Sequence, residues 1–297
     1  MMKYLGLDFG GTEIKVGEVT PEGKITNKFK FETPDDVIDA VAQEIKARYD
    51  LSEIGGIGFT VPGPINGEGY LSFCSNIKKL RDCYPARMLS EKLGGVKCIA
   101  GNDGKLAALG EYEFGSGKKY NSIMMATIGT AIGGGLIIDG KVIYGANAIA
   151  AEISHIHVKD DEPIACGCGG HGCLEQYASG RGLSRRAKEC GYDGDMLIPK
   201  NIIDAAKAGD KKAYEIVDWC FAHLGKAFAT VSCLVDPEAF IIGGGVGQAG
   251  QFLIDIIYKY YDEMLTITKG RADIVQAQLG NDAGILGAAK LAMDLEN

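Results

Sequence analysis

The chain has one tryptophan, eight prolines and four histidines in 297 residues, and no excess of positive charge. Its 31 lysines and arginines face 39 aspartates and glutamates, for a net charge of −8 and a pI near 5.2. So acidic a chain is not built as a general binder of nucleic acid or anionic membrane. A signal-peptide layout is missing as well: "MMKYLGLDFGG" carries one lysine, a short apolar run and an early Asp8. Low-complexity segments and long charge runs are absent. The one long uncharged run, Tyr120 to Ile138, contains three consecutive glycines and several hydroxyl residues. It reads as two buried strands around a glycine turn rather than a membrane span. Nine cysteines without an export signal predict a reducing compartment, hence the cytoplasm.

Glycine is what the chain has in excess: 43 residues, about twice the ordinary share, which calls for many tight turns or close backbone approaches. The length exceeds a comfortable single core, so two domains are expected. "KYLGLDF", "EIKVGEV" and "KITNKFKFE" read as strands separated by glycine turns. "TPDDVIDAVAQEIKARYD" reads as a helix, with Thr33 as a candidate cap and Val37, Val41 and Ile45 on one apolar stripe. "GGIGFTVPG" is a buried strand ending in a Gly-Pro turn, and a strand–glycine turn–strand–hairpin pattern returns from residue 122, as in a structural duplication. Helices are expected over 201–236 and 250–268 and in "GILGAAKLAMDL", with the strand "EAFIIGGGVG" between the first two.

Three turns, "DFGGT" (Asp8 to Thr12), "IGTAIGGG" (Ile128 to Gly135) and "IIGGGVG" (Ile241 to Gly247), each follow an apolar strand. Stripping side chains there lets backbone amides approach an anion. The carboxylate and hydroxyl flanking the first turn suit a hydrated Mg2+ and phosphate oxygens. Neither the P-loop pattern nor the Rossmann fingerprint is present. "ACGCGGHGC" gives Cys166, Cys168 and Cys173 in C-x-C-x4-C spacing, with His155, His157 and His171 nearby. Three thiolates and one imidazole complete a tetrahedral structural zinc site, whereas a redox pair would favour C-x-x-C and a disulfide an oxidising compartment. On these residues alone the three histidines compete for the fourth position. Asn102 and Asp103 end the apolar strand "VKCIA", where the bare reading is a turn.

Taken in order, "LGLDFGGTEIKVG", "VPGP", "GNDGKLAALGE", "TIGTAIGGGLIIDGKVIYGANAIAAEISH", "CGCGGHGCLEQYAS" and "IIGGGV" resemble the ROK family of sugar kinases, within the actin-like ATPase superfamily. The resemblance implies an α/β fold of two actin-like (ribonuclease H-like) domains with a cleft between them. The domains would span 1–118 and 119–283, with a terminal helix at 284–297 packing back on the first. It implies an ATP-dependent kinase, glucokinase first, phosphorylating a hexose hydroxyl (the 6-hydroxyl), with Asp103 as general base. A kinase for N-acetylmannosamine, N-acetylglucosamine, fructose or a β-glucoside is the alternative. Sugar contacts would come from Gly63, Asn76, Asn102, Asp103, Glu152, His155 and Glu175. ATP and Mg2+ would be held by Asp8, Gly10, Gly11, Thr12 and Lys15 at the first turn. Gly129, Thr130 and Gly133 would serve at the second, and Gly243, Gly244 and Gly245 at the third. The resemblance supplies His155 as the fourth zinc ligand, and a homodimer as the assembly. Related sugar-sensing repressors carry a helix-turn-helix domain before the kinase-like part; with its first turn already at Asp8, this chain is expected to lack one. An actin-like ATPase acting on no sugar is disfavoured by "GND" and the cysteine cluster. Two positions depart from the family pattern: Ala131 stands for a glycine in the second turn, and Ser154 for the glycine of Glu-Ile-Gly-His. The family often has a tryptophan shortly after the substrate asparagine, whereas "SNIKKLRDCY" holds none and the one tryptophan is Trp219, so the exact sugar is not fixed by the resemblance.

Overall fold

A computed structural model describes residues 2–74, 77 and 80–296. The chain order is β1 (Lys3–Phe9), β2 (Glu13–Val19), β3 (Ile25–Glu32), α1 (Val37–Arg48), β4 (Ile54–Val61), α2 (Pro85–Lys92), β5 (Cys98–Asn102) and α3 (Asp103–Phe114). Then come β6 (Ser122–Ile128), β7 (Ile132–Ile138), β8 (Lys141–Val142), α4 (Glu175–Ala178), α5 (Gly180–Glu189), α6 (Pro199–Lys207) and α7 (Lys211–Val235). The chain closes with β9 (Ala239–Gly243), α8 (Gly244–Gly247), α9 (Gln251–Met264), β10 (Asp273–Gln276) and α10 (Ala283–Met293). Two five-stranded mixed sheets result, ordered β3-β2-β1-β4-β5 and β10-β9-β6-β7-β8. The class is α/β, as expected.

Contacts group the chain into two units. One comprises Met1–Lys119, Gly135–Ala151 and Leu279–Asn297; the other comprises Tyr120–Gly134 and Glu152–Gln278. The expected division at 118/119 with a returning terminal helix thus has an addition: residues 135–151, placed in the second domain from sequence, group with the first unit. The segment packs on α3: a Cβ on Gly135 would stand 2.5 Å from Ala108 Cβ and 2.8 Å from the Gly104 carbonyl oxygen.

In the first unit β1 pairs antiparallel with β2 and parallel with β4, and β4 pairs parallel with β5. Every residue of β4 is buried, so both faces of this strand are covered. Alternation divides them: Ile57, Phe59 and Val61 join the core that holds Val37, Val41 and Ile45 of α1 and Leu89 of α2. The other face carries Gly56, Gly58 and Thr60, and α10 lies against it. A Cβ on Gly58 would sit 1.8 Å from the Ala288 carbonyl oxygen, and one on Gly6 of β1 would sit 1.9 Å from that of Ile285. On its other flank α10 meets α3 just as closely, Gly287 against the Leu106 carbonyl and Gly110 against that of Ala283. Helix α1 starts at Val37, after Asp36, rather than at a Thr33 cap: the Thr33 hydroxyl donates instead to the Gly10 carbonyl, 2.7 Å away.

In the second unit β9 runs parallel to β6 and β10. Helices α6 and α7 divide the expected 201–236 helix at Gly209, whose φ of +99° is left-handed, and Asp210 caps α7 by accepting from Ala213 N. Phe228 of α7 stacks on Phe240 of β9 with ring centroids 4.1 Å apart. The uncharged run 120–138 is two strands, and among the described residues no helix is long and apolar enough to cross a membrane.

Candidate functional site

Strand β5 ends at Asn102 and α3 begins at Asp103, so the strand–helix junction fixes both side chains. Asn102 caps α3, its Oδ1 accepting from Lys105 N at 3.1 Å, and its Nδ2 donates to the Gly63 carbonyl at 3.2 Å. The sequence-predicted Gly63, Asn102 and Asp103 are therefore brought together. Gly63 must be glycine, since a Cβ would stand 2.2 Å from the Phe73 carbonyl oxygen. Asp103 is exposed while the rest of the helix's first two turns is buried. Its Oδ1 accepts from Gly104 N at 2.9 Å, and the helix N-terminus favours negative charge there. Asn76 lies outside the described residues.

Asp8 of β1 accepts a hydrogen bond from the fully buried Thr60 at 2.8 Å, and its other oxygen is 3.5 Å from Lys15 Nζ. Thr60 also accepts from Phe9 N, which fixes the strand end from which the Gly10–Thr12 turn departs. Gly10 N donates to Glu13 O across that turn. A carboxylate with one oxygen committed to a hydroxyl and the other beside an ammonium suits a hydrated cation held through water better than a bare one. Sequence reasoning missed Lys105. It reads as a solvated helix lysine, yet only 1% of it is exposed, and its Nζ donates to Ala148 O at 3.3 Å. Ala148, at φ +60°, belongs to the strained segment preceding Glu152, together with Ala151 at φ +67°.

In the second unit His155 ends a 3-10 turn, Ile153–His155, that follows Glu152. One donor atom each from His155, Cys166, Cys168 and Cys173 lies within 4.8 Å of the others. Zn–S bonds of about 2.3 Å at the tetrahedral angle put two sulfurs about 3.8 Å apart. Cys168 and Cys173 Sγ are separated by 3.7 Å, and His155 Nδ1 is 3.9 Å from Cys166 Sγ. A disulfide would need about 2 Å, and all nine cysteines are free. The donor set therefore fits zinc. The competing histidines are occupied: His157 Nδ1 and Nε2 face His171 O and Asp160 Oδ1, and His171 Nδ1 faces Glu162 O. Glu175 opens α4 with its Oε1 2.8 Å from Cys166 Sγ, so the cysteine loop and the predicted sugar carboxylate share one cluster. Ser154, where the family pattern has glycine, is buried beside His155.

A buried brace supports that loop. Glu162, 8% exposed, accepts from Tyr177 OH, from Arg185 Nη1 and Nη2 at 3.1 and 3.2 Å, and from Ile164 N. Burial pushes its carboxyl up, but the hydrogen bonds from Tyr177 and Arg185 outweigh burial and hold it at about 2.

The second and third glycine turns meet. Gly129, Thr130 and Gly245 line one cavity of about 660 Å3, walled by Ile198, Ile203 and Val246. Gly129 N donates to Ala131 O, a backbone contact the alanine side chain leaves intact, and Gly180 N donates to Gly129 O. Gly244 has φ +79°, and a Cβ there would be 2.4 Å from Ile128 O. Only glycine lets β9 and β6 end so close together. Gly243 is the last residue of β9; Gly133 lies inside β7 rather than in the turn. The apolar wall comes from α6, the residue before it and α8, and was missed because such residues read as ordinary helix core. A base-sized apolar pocket opening onto glycine-rich amides can take a nucleoside at one end and phosphates at the other.

The model of the ROK family matches residues 4–295. A glucokinase of Streptomyces coelicolor is 36% identical, with 98% of this chain and 97% of that protein covered. An N-acetyl-D-glucosamine kinase of Vibrio cholerae is 30% identical, over 97% of this chain and 99% of that protein. Among solved structures, a ROK family glucokinase from Streptomyces griseus in complex with glucose and AMPPNP superposes with a TM-score of 0.81. The two are 33% identical, covering 98% of this chain and 99% of that one.

Proposed function

This chain belongs to the ROK family and is an ATP-dependent sugar kinase, and we propose that it phosphorylates the 6-hydroxyl of glucose with Asp103 as general base. The observation that carries the assignment of the base is the Gly63–Asn102 hydrogen bond, which holds an exposed carboxylate at the start of a buried helix. Likeness to glucokinases along the whole chain supports the choice of sugar.

In this reading the Asp103 carboxylate accepts the proton of the sugar hydroxyl. The hydroxyl oxygen bonds to the γ-phosphorus, and the bond from that phosphorus to the bridging oxygen of ADP breaks. Asn102 holds a neighbouring sugar hydroxyl, and Glu152, His155 and Glu175 hold others. Gly129, Thr130 and Gly245 seat the nucleotide. Mg2+, when bound, neutralises charge on the phosphates, and Asp8 would hold it through water. Zinc, when bound, is structural: Cys166, Cys168, Cys173 and His155 fill its four positions and leave none for a reacting oxygen. With His155 Nδ1 turned to the thiols, its Nε2 is left for the sugar.

A coupled ADP-release assay over glucose, N-acetylglucosamine, N-acetylmannosamine, fructose and a β-glucoside tests the proposal. Glucose is expected to give the highest kcat/KM, and Asp103→Asn to lower kcat by about 10²- to 10⁴-fold. An N-acetylated sugar preferred over glucose refutes the substrate. Full activity in Asp103→Asn refutes the base.

A further inference from the structure

Two cavities of the second unit, of about 660 and 150 Å3, share two lining residues, Thr130 and Arg181. The larger carries the apolar wall and the glycine turns. The smaller carries Glu175 and Cys166 of the zinc cluster. If the nucleoside occupies the first and the sugar meets Glu175 at the second, the phosphate chain passes Thr130 and Arg181.

The backbone of Arg181 is held for such a task. It is the second residue of α5, with its N donating to Thr130 O at 3.3 Å, and Gly180 N donates to Gly129 O at 2.8 Å. A Cβ on Gly180 would stand 2.8 Å from Gly129 O, so helix and phosphate turn are in close register. Apart from Lys207, which lines the larger cavity with its Nζ 5.8 Å from the Phe252 ring centroid, the nearby cations are paired with carboxylates. Arg185 is paired with Glu162, Arg186 with Glu189 and Lys200 with Asp204. Arg181 is exposed, and its guanidinium makes no hydrogen bond or ion pair with any other described residue.

We propose that Arg181 is a phosphate-binding residue of this kinase, its guanidinium donating to oxygens of the ATP phosphate chain at the junction of the two cavities. The assignment rests on reading the larger cavity as the nucleotide site. A planar guanidinium matches phosphate oxygens with paired donors, and it adds to backbone amides the full charge they lack.

Calorimetric titration of the full chain with ADP and with adenosine, beside steady-state kinetics, tests this. In Arg181→Ala, ADP affinity and kcat/KM for ATP should fall about ten- to hundredfold, with adenosine affinity and the KM for sugar unchanged. Arg181→Lys, which keeps a point charge without the fork, should lie between Arg181→Ala and wild type. An ADP affinity within threefold of wild type in Arg181→Ala overturns the assignment, as does adenosine affinity falling in parallel with ADP. Wild-type protein that binds neither ADP nor adenosine removes the nucleotide reading of the cavity, and the proposal falls with it.

Discussion

Replacing Gly287 by alanine tests whether the backbone contact between α10 and α3 holds the proposed base in place. The new Cβ would lie 1.7 Å from Leu106 O and 2.8 Å from Gly110 N. Restoring even 3.0 Å to the carbonyl requires about 1.3 Å of movement between two helices whose opposing atoms are backbone, so no rotamer can relieve it. Overpacking of this kind costs about 3 kcal/mol, and the better helix propensity of alanine returns about 1. The net loss of about 2 kcal/mol should lower Tm by roughly 4–8 °C. Leu106 is one turn from Asp103, and a misplacement of about 1 Å can cost about a hundredfold in rate, so kcat should fall by more than stability explains. Gly284→Ala in the same helix is the control. Its Cβ would meet Thr60 Cγ2 at 3.4 Å and Asp8 Oδ1 at 3.7 Å, ordinary contacts, and Tm should rise by a few degrees. Thermal unfolding by circular dichroism and kcat for both variants decide the matter. A Gly287→Ala Tm at or above wild type would refute the reasoning.

Elemental analysis of protein prepared without added zinc should find about one zinc per chain, retained in His157→Ala and lost in Cys168→Ser; loss in His157→Ala with retention in His155→Ala would reverse the ligand choice. The brace at Glu162 makes a pH prediction. A folded-state pKa held at about 2, below the unfolded value, stabilises the protein above pH 5 and loses that contribution as pH falls towards 2. The difference in unfolding free energy between wild type and Glu162→Gln should therefore be constant near neutrality and shrink on acidification. A difference independent of pH from 5 to 2 would show that the carboxylate charge contributes nothing.

Local chemistry was legible in the sequence where backbone demands left a residue signature. The glycine turns after β1, β6 and β9 lie where the pattern put them, at Gly10 and Gly244 because a Cβ would meet a carbonyl oxygen, and the Val37–Val41–Ile45 stripe is buried on one face of α1. Spacing drew attention to three of the four side chains of the candidate metal cluster, but His155 was separable from His157 and His171 only through family resemblance, because tertiary folding decides which imidazole reaches the thiols. Lys105 was illegible for the same reason. Nothing local distinguishes a lysine that donates to a strained alanine segment 43 residues away from one that points into water. The assignment of 135–151 to the first unit likewise depends on contacts with α3 that no local pattern announces.

The seating of α10 on Gly6 and Gly58 has a consequence for the order in which the chain matures during translation. The helix that roofs the first sheet begins about 130 residues after the rest of that unit ends at Ala151, a delay of roughly seven to twenty-five seconds at ribosomal speeds. Throughout that interval β1 and β4 hold out the surface around Gly6, Gly56 and Gly58, which has no side chains at those positions to cover it. The second unit, finished at Gln278, can close first. Synthesis runs from the N-terminus, but completion of this kinase's cores runs the other way, and the glycine face is the surface a chaperone would have to shield in the meantime.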